Sequence, residues 1–180
     1  MLLIVAIVVA VVVRAFVLQT FYIPSESMEK TLLINDRVLV NKLIYNFRDP
    51  HRGEVIVFEA PANWRSGTAD EDFIKRVIGT PGDHVVCCDT QQRITVNGVA
   101  LDEPYIMNGK QGMPCYNGVY KVTVPQGDLW VLGDNREHSG DSSWNFLKKG
   151  GDAGFVPTKN VVGHVVGVVS WLRADHPAGS

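Results

Sequence analysis

The sequence predicts a mainly β protein behind an N-terminal membrane helix. Three observations support this: an unbroken apolar block at the start, a succession of short β-branched and aromatic runs after it, and Gly or Pro turn signals between those runs. Residues 1–13 are apolar throughout, followed by Arg14 and then Ala15, Phe16, Val17 and Leu18. A helix of that apolar length covers about 20 Å against a hydrocarbon core of about 30 Å, so spanning requires Arg14 to snorkel and the stretch after it to contribute. A cleavable targeting peptide would carry a basic start and a small-residue cleavage site. Neither is present, and Phe21, Tyr22 and Pro24 suit an interfacial belt, so residues 1–20 are expected to form an uncleaved, single-pass anchor in a lipid bilayer.

Beyond the anchor, Arg37-Val38-Leu39-Val40, Glu54-Val55-Ile56-Val57-Phe58, Arg93-Ile94-Thr95-Val96 and Leu129-Trp130-Val131-Leu132 read as strands. Thr80-Pro81-Gly82-Asp83, Val96-Asn97-Gly98-Val99 and Val124-Pro125-Gln126-Gly127 read as tight turns. Residues 21–173 are therefore expected to form one β-rich domain. The stretch 84–122, with its own hairpin signal at Asn97-Gly98, is expected to be a smaller inserted β subdomain, and residues 174–180 a short polar tail. A formal net charge of -2 with scattered Lys and Arg lacks the basic footprint of a nucleic-acid binder. The three cysteines have no metal-ligand spacing, no cofactor motif stands out, and only one intrachain bridge can form. Cys115 is expected to pair with Cys88, with Cys87 as the alternative.

Three clusters carry chemistry. In Ile23-Pro24-Ser25-Glu26-Ser27-Met28, two hydroxyls flank one position: one could be a nucleophile if a base takes its proton, and the other could donate to an oxyanion. The same composition also serves an ordinary Ser-rich turn. In Phe73-Ile74-Lys75-Arg76-Val77-Ile78, a lysine sits inside an apolar run, where burial favours the neutral amine and so a base; a solvated strand lysine is the alternative. In Gly133-Asp134-Asn135-Arg136-Glu137-His138-Ser139-Gly140-Asp141-Ser142-Ser143, Asp134 and Asp141 could pair with Arg76, and Ser139 could orient a lysine. A polar turn explains that cluster equally well.

Taken in order, these clusters resemble the type I signal peptidase family. Pro24-Ser25-Glu26-Ser27-Met28 is similar to its nucleophile box, and Asn35 through Lys42 and Arg52 through Phe58 to the boxes that follow. Lys75 through Asp83 is similar to the general-base box and Gly133 through Asp141 to the last. The resemblance implies a Ser-Lys protease with Ser27 as nucleophile, Lys75 as neutral general base, Ser25 and the Ser27 amide as oxyanion donors, and Ser139 as the hydroxyl that positions the lysine. It further implies a β-rich catalytic domain on the extracytoplasmic side of the cell membrane, removing signal peptides from secretory preproteins after small residues. Three positions depart from the family pattern: Lys30 stands where proline is usual, Thr80 where leucine is, and Ser143 where arginine is common, which removes one expected partner of Asp141. A Ser-His-Asp site built on His138 and Asp134 lacks a nucleophile elbow, and no signature surrounds Cys87 or Cys88 as nucleophiles. A self-cleaving repressor-type protease shares the dyad but not the anchor, and a non-enzymatic β domain would need neither Ser27 nor Lys75.

Overall fold

The computed structural model describes residues 17–65, 67, 72–106 and 113–169, together with residue 5. Eleven strands appear among them: β1 (Leu18–Tyr22), β2 (Arg37–Asn41), β3 (Val55–Glu59), β4 (Asp72–Gly79), β5 (His84–Cys87), β6 (Ile94–Val96), β7 (Val99–Ala100), β8 (Tyr120–Thr123), β9 (Asp128–Leu132), β10 (Val156–Pro157) and β11 (Val161–Val168). They form a seven-stranded sheet in the order β1-β2-β11-β3-β4-β9-β10 and a four-stranded sheet in the order β7-β6-β5-β8, antiparallel throughout.

Period-two burial explains why these segments are strands. In β2, Val38 and Val40 are fully buried while Arg37 and Leu39 alternate outward. In β9 four successive residues are buried, which requires cover on both faces. Trp130 and Leu132 pack with the second sheet, against Val85, Ile94 and Tyr120; Leu129 and Val131 pack instead with Ile56, Phe58 and Val77. One strand thus serves two cores. The Asn97-Gly98 signal closes β6 onto β7 with both residues at positive φ, 53° and 81°, as a two-residue hairpin turn demands.

Three details differ from the sequence reading or lie outside its reach. Most of the expected anchor, and the whole tail, fall outside the described residues, while Leu18, Gln19 and Thr20 are strand, paired with β2. Among the described residues no helix is long and apolar enough to cross a membrane. A helix, α1 (Ser142–Lys149), occupies a stretch for which no helix was expected. Asp141 caps it, accepting from the amides of Ser143 and Trp144, and Lys148 and Lys149 complement the dipole at its last turn.

The Cys115 Cα lies 5.7 Å from that of Cys87 and 6.5 Å from that of Cys88. The first separation falls in the commonest range for a disulfide and the second near its upper end, so Cys87 is at least as well placed as the Cys88 favoured by the sequence. One sulfur forms one bridge. Mass mapping of unreduced peptides is expected to find Cys115 in a single bridge, with one member of the adjacent pair left as a thiol.

Gly79 shows how closely the end of β4 packs against β5, Val124 and β9. A methyl group there would lie 2.8 Å from Val85 Cγ2, 3.0 Å from Val124 Cγ2 and 3.3 Å from Trp130 Cβ. Overpacking of this kind costs about 1–3 kcal/mol, so Gly79→Ala is expected to lower the unfolding free energy by that amount in a denaturant titration.

Candidate active site

After β1 the chain is pulled into a turn by reciprocal bonds around Ile23, whose amide donates to the Asp36 carbonyl and whose carbonyl accepts from the Asn35 amide, both at 2.9 Å. Ile23, Met28 and Leu32 are buried against Val38, Val40 and Val57. The amides of Glu29 and Leu32 close onto the carbonyls of Glu26 and Met28, at 2.9 and 2.8 Å. Ser27 is held at the centre of this turn and is 6% exposed. The Ser25 hydroxyl lies 3.3 Å from that of Ser27.

Lys75 comes from the middle of β4, opposite Ile56 of β3, and is 4% exposed. Its Nζ lies 2.7 Å from Ser27 Oγ and donates to the Ile74 carbonyl at 3.0 Å. A neutral amine has one lone pair, which can accept the Ser27 proton while its N–H bonds serve the carbonyl. Burial lowers the Lys75 pKa from its ordinary 10.5 to about 8, against the opposing pull of the Asp141 and Asp134 carboxylates. Serine and lysine face a cleft of about 320 Å³ whose apolar lining includes Phe21, Ile23, Phe73 and Ile74.

Residues 133–141 form the third wall of the site. The Asn135 amide donates to the Ser27 carbonyl at 3.1 Å, and its Nδ2 donates to the Glu26 carbonyl at 3.2 Å. Gly133 leaves no room for a side chain: a methyl there would overlap Ser139 Oγ and the Ser27 carbonyl. Ser139 is buried and its hydroxyl has no hydrogen-bond partner among the described residues, so it makes no bond to Lys75. Arg76, next to the lysine on the alternate face, grips Asp134 with Nε at 2.9 Å and Nη2 at 2.6 Å. Asp141 does not meet Arg76. It accepts instead from the Gly133 amide at 3.1 Å and from the Ser143 hydroxyl at 2.7 Å, so Ser143 bonds the carboxylate directly. His138 pairs with Glu26, Nδ1 to Oε1 at 3.1 Å, rather than with Asp134.

Sequence reasoning singled out Ser27, Lys75, Arg76 and Asp134, which the structure brings into two linked pairs. It did not anticipate Asn135, Thr31 or Gly133. Thr31 Oγ1 donates to Asp134 Oδ2 at 2.5 Å across 103 residues of sequence, a contact no local pattern announces. Gly133 had a local signal, a glycine directly after the run of β9.

Comparison with known proteins gives a consistent result. The family model described as signal peptidase, peptidase S26, matches residues 1–171. A probable signal peptidase I-2 of Synechocystis is 42% identical over 88% of this chain and 66% of its own length. A signal peptidase I of Mycobacterium tuberculosis is 36% identical over 89% of this chain and 67% of its own length. A crystal structure of a signal peptidase I from Enterococcus faecalis superposes with a TM-score of 0.50 at 30% identity, covering 66% of this chain and 98% of that one.

The pKa of Lys75 sets two pH dependences. If the neutral amine is the working form, kcat/KM rises with pH through about 8 and levels above it. Stability moves in the same direction. Between about pH 8 and 10.5 the unfolded chain holds a proton on this amine that the folded chain does not, so unfolding free energy increases with pH across that window. Denaturant titrations of the wild type and of Lys75→Met across that window check this, and the variant is expected to lose the slope.

Proposed function

The chain belongs to the signal peptidase family of S26 peptidases, and on that premise we propose that it is a membrane-anchored serine endopeptidase that removes signal peptides from exported preproteins with a Ser27–Lys75 dyad. The observation that carries this reading is the 2.7 Å approach of a buried lysine amine to a buried serine hydroxyl beside an apolar cleft.

In this mechanism Ser27 gives its proton to Lys75 Nζ as Oγ attacks the scissile carbonyl carbon. The carbonyl oxygen becomes an oxyanion, which the Ser27 amide and the Ser25 hydroxyl stabilise. The Lys75 ammonium then protonates the leaving amine, regenerating the neutral base for the water that hydrolyses the acyl-enzyme. The buried Ser139 hydroxyl, unpartnered among the described residues, is the one this reading assigns to accept from the ammonium once it forms. Burial that disfavours the resting ammonium speeds its return to neutrality.

Substrate entry follows from the strand pattern. β9 pairs with β4 only at Arg76, Val77 and Gly79, so among the described residues Phe73, Ile74 and Lys75 pair with β3 and lie beyond the reach of β9. An extended peptide adding to the other edge would bring its scissile bond alongside Lys75. Small side chains fit next to Ser27, where Ile23, Met28 and Ile74 already crowd the cleft. On this reading the catalytic domain lies on the extracytoplasmic face, anchored through the apolar stretch that precedes β1.

Preprotein cleavage by the full chain in liposomes tests the dyad. Ser27→Ala and Lys75→Arg are each expected to abolish it, because arginine keeps the charge but stays protonated at working pH. Replacing His51, His84, His138, His164 and His176 together is expected to leave cleavage largely intact in a folded variant. Cleavage by Lys75→Arg near the wild-type rate would refute the assignment.

A further inference from the structure

Each of the three segments that build the site carries a cation close in sequence to its catalytic group: Lys30 follows Ser27, Arg76 adjoins Lys75, and Arg136 precedes Ser139. All three cations meet the same short stretch, residues 103–106, which comes from the half of the chain that forms the second sheet. We propose that this strap is a positioning device for the dyad, receiving one cation from each catalytic segment and fixing the three segments relative to one another. The inference rests on the Ser27–Lys75 reading above.

The three receptors differ in kind. Lys30 Nζ donates to the carbonyls of Pro104, at 2.5 Å, and Ile106, at 2.9 Å. To do so it ends the nucleophile turn at φ 81°, a left-handed conformation that a non-glycine residue adopts only when its surroundings hold it there. The Arg76 guanidinium stacks with its Cζ 4.0 Å from the Tyr105 ring centroid, while its nitrogens hold Asp134 and the Gly53 carbonyl. Arg136 is the most enclosed. Its Nη2 donates to Glu103 Oε1 at 2.6 Å, with side-chain exposures of 3% and 4%, and its Nε donates to the Gly133 carbonyl at 2.9 Å. Tyr105 closes the strap on itself, its hydroxyl donating to Glu103 Oε1 at 3.0 Å.

Charge explains why one stretch can hold three cations. Glu103 supplies a full negative charge, the Pro104 and Ile106 carbonyls supply dipole ends, and the Tyr105 ring supplies a negative face. None of these groups touches the cleft, so the strap acts on the reaction through the catalytic segments it holds. Lys30 is the attachment of the nucleophile turn to that strap.

The prediction follows from the sensitivity of a proton transfer to geometry. Misplacement by about 1 Å costs on the order of 100-fold in rate. The full chain in liposomes is assayed for kcat and KM with one preprotein, for wild type, Ser27→Ala, Lys30→Met, Tyr105→Leu, Tyr105→Phe and Glu103→Gln, at a temperature where denaturation curves show each variant folded. Tyr105→Leu and Glu103→Gln are expected to lower kcat by about 10–100-fold with KM within about 2-fold, and Lys30→Met to lower it by about 3–10-fold. Tyr105→Phe keeps the ring face and is expected to retain kcat within about 3-fold. If Glu103→Gln does not fold, the Tyr105 pair and Lys30→Met decide the matter. Wild-type kcat in folded Tyr105→Leu and Lys30→Met, equal loss in Tyr105→Leu and Tyr105→Phe, or losses confined to KM or thermal stability would overturn the inference. Ser27→Ala separates the two readings: if it still cleaves, the dyad fails, whereas if it is dead while the strap variants are fully active, only the strap fails.

Discussion

The constraint on which this molecule depends is the burial of one amine. Lys75 sits 4% exposed inside an apolar cleft, where an ammonium ion is poorly accommodated. Two carboxylates nearby pull the other way, and the structure limits their hold by giving each a closer partner. Asp134 is gripped by Arg76 and Thr31, and Asp141 is committed to the Gly133 amide, Ser143 and the first turn of α1. Their charges therefore moderate the amine without capturing its proton.

The fold supplies that setting by sharing strands between cores. Val77 of β4 packs with Phe58 and Val131, while its neighbour Ile78 packs with Val85 and Trp130. The β4–β9 pair is thus fixed from both faces, and Lys75 lies just beyond the point where the two strands part. The turn that carries Ser27 rests on a third cluster around Val38, Val40 and Val57. Serine and lysine are consequently anchored to different cores, and their separation is set by how β2, β3 and β4 sit in one sheet.

Much of this was legible in the sequence, and what was not has identifiable physical causes. The strands could be read because alternation and turn residues are local properties, as with Val38 and Val40 or the Asn97-Gly98 hairpin. Helix α1 was hidden: Ser142, Ser143 and Asn145 are poor helix formers, and their burial against β9 and the Asp141 cap supplies what propensity lacks. The same cap explains why Asp141 does not bond Arg76. Ser27 and Lys75 were legible through motif order, but Asn135, Thr31 and residues 103–106 act over long sequence separations, such as the 76 residues between Lys30 and Ile106. The cysteine partnership turns on which of two adjacent residues faces inward, a matter of one step in a strand.

The half-paired β4 has a consequence beyond catalysis. A sheet edge left unpaired is ordinarily a hazard, because any extended chain can add to it. Here the edge ends at Lys75, where β9 begins to pair, and the cleft shared with Ser27 lies beside it. A helix, whose backbone groups are already paired, has nothing to offer such an edge. Under the proposed function the edge selects by conformation ahead of sequence: a segment still stretched out, as in a chain newly delivered across a membrane, presents the free amides and carbonyls that complete the sheet.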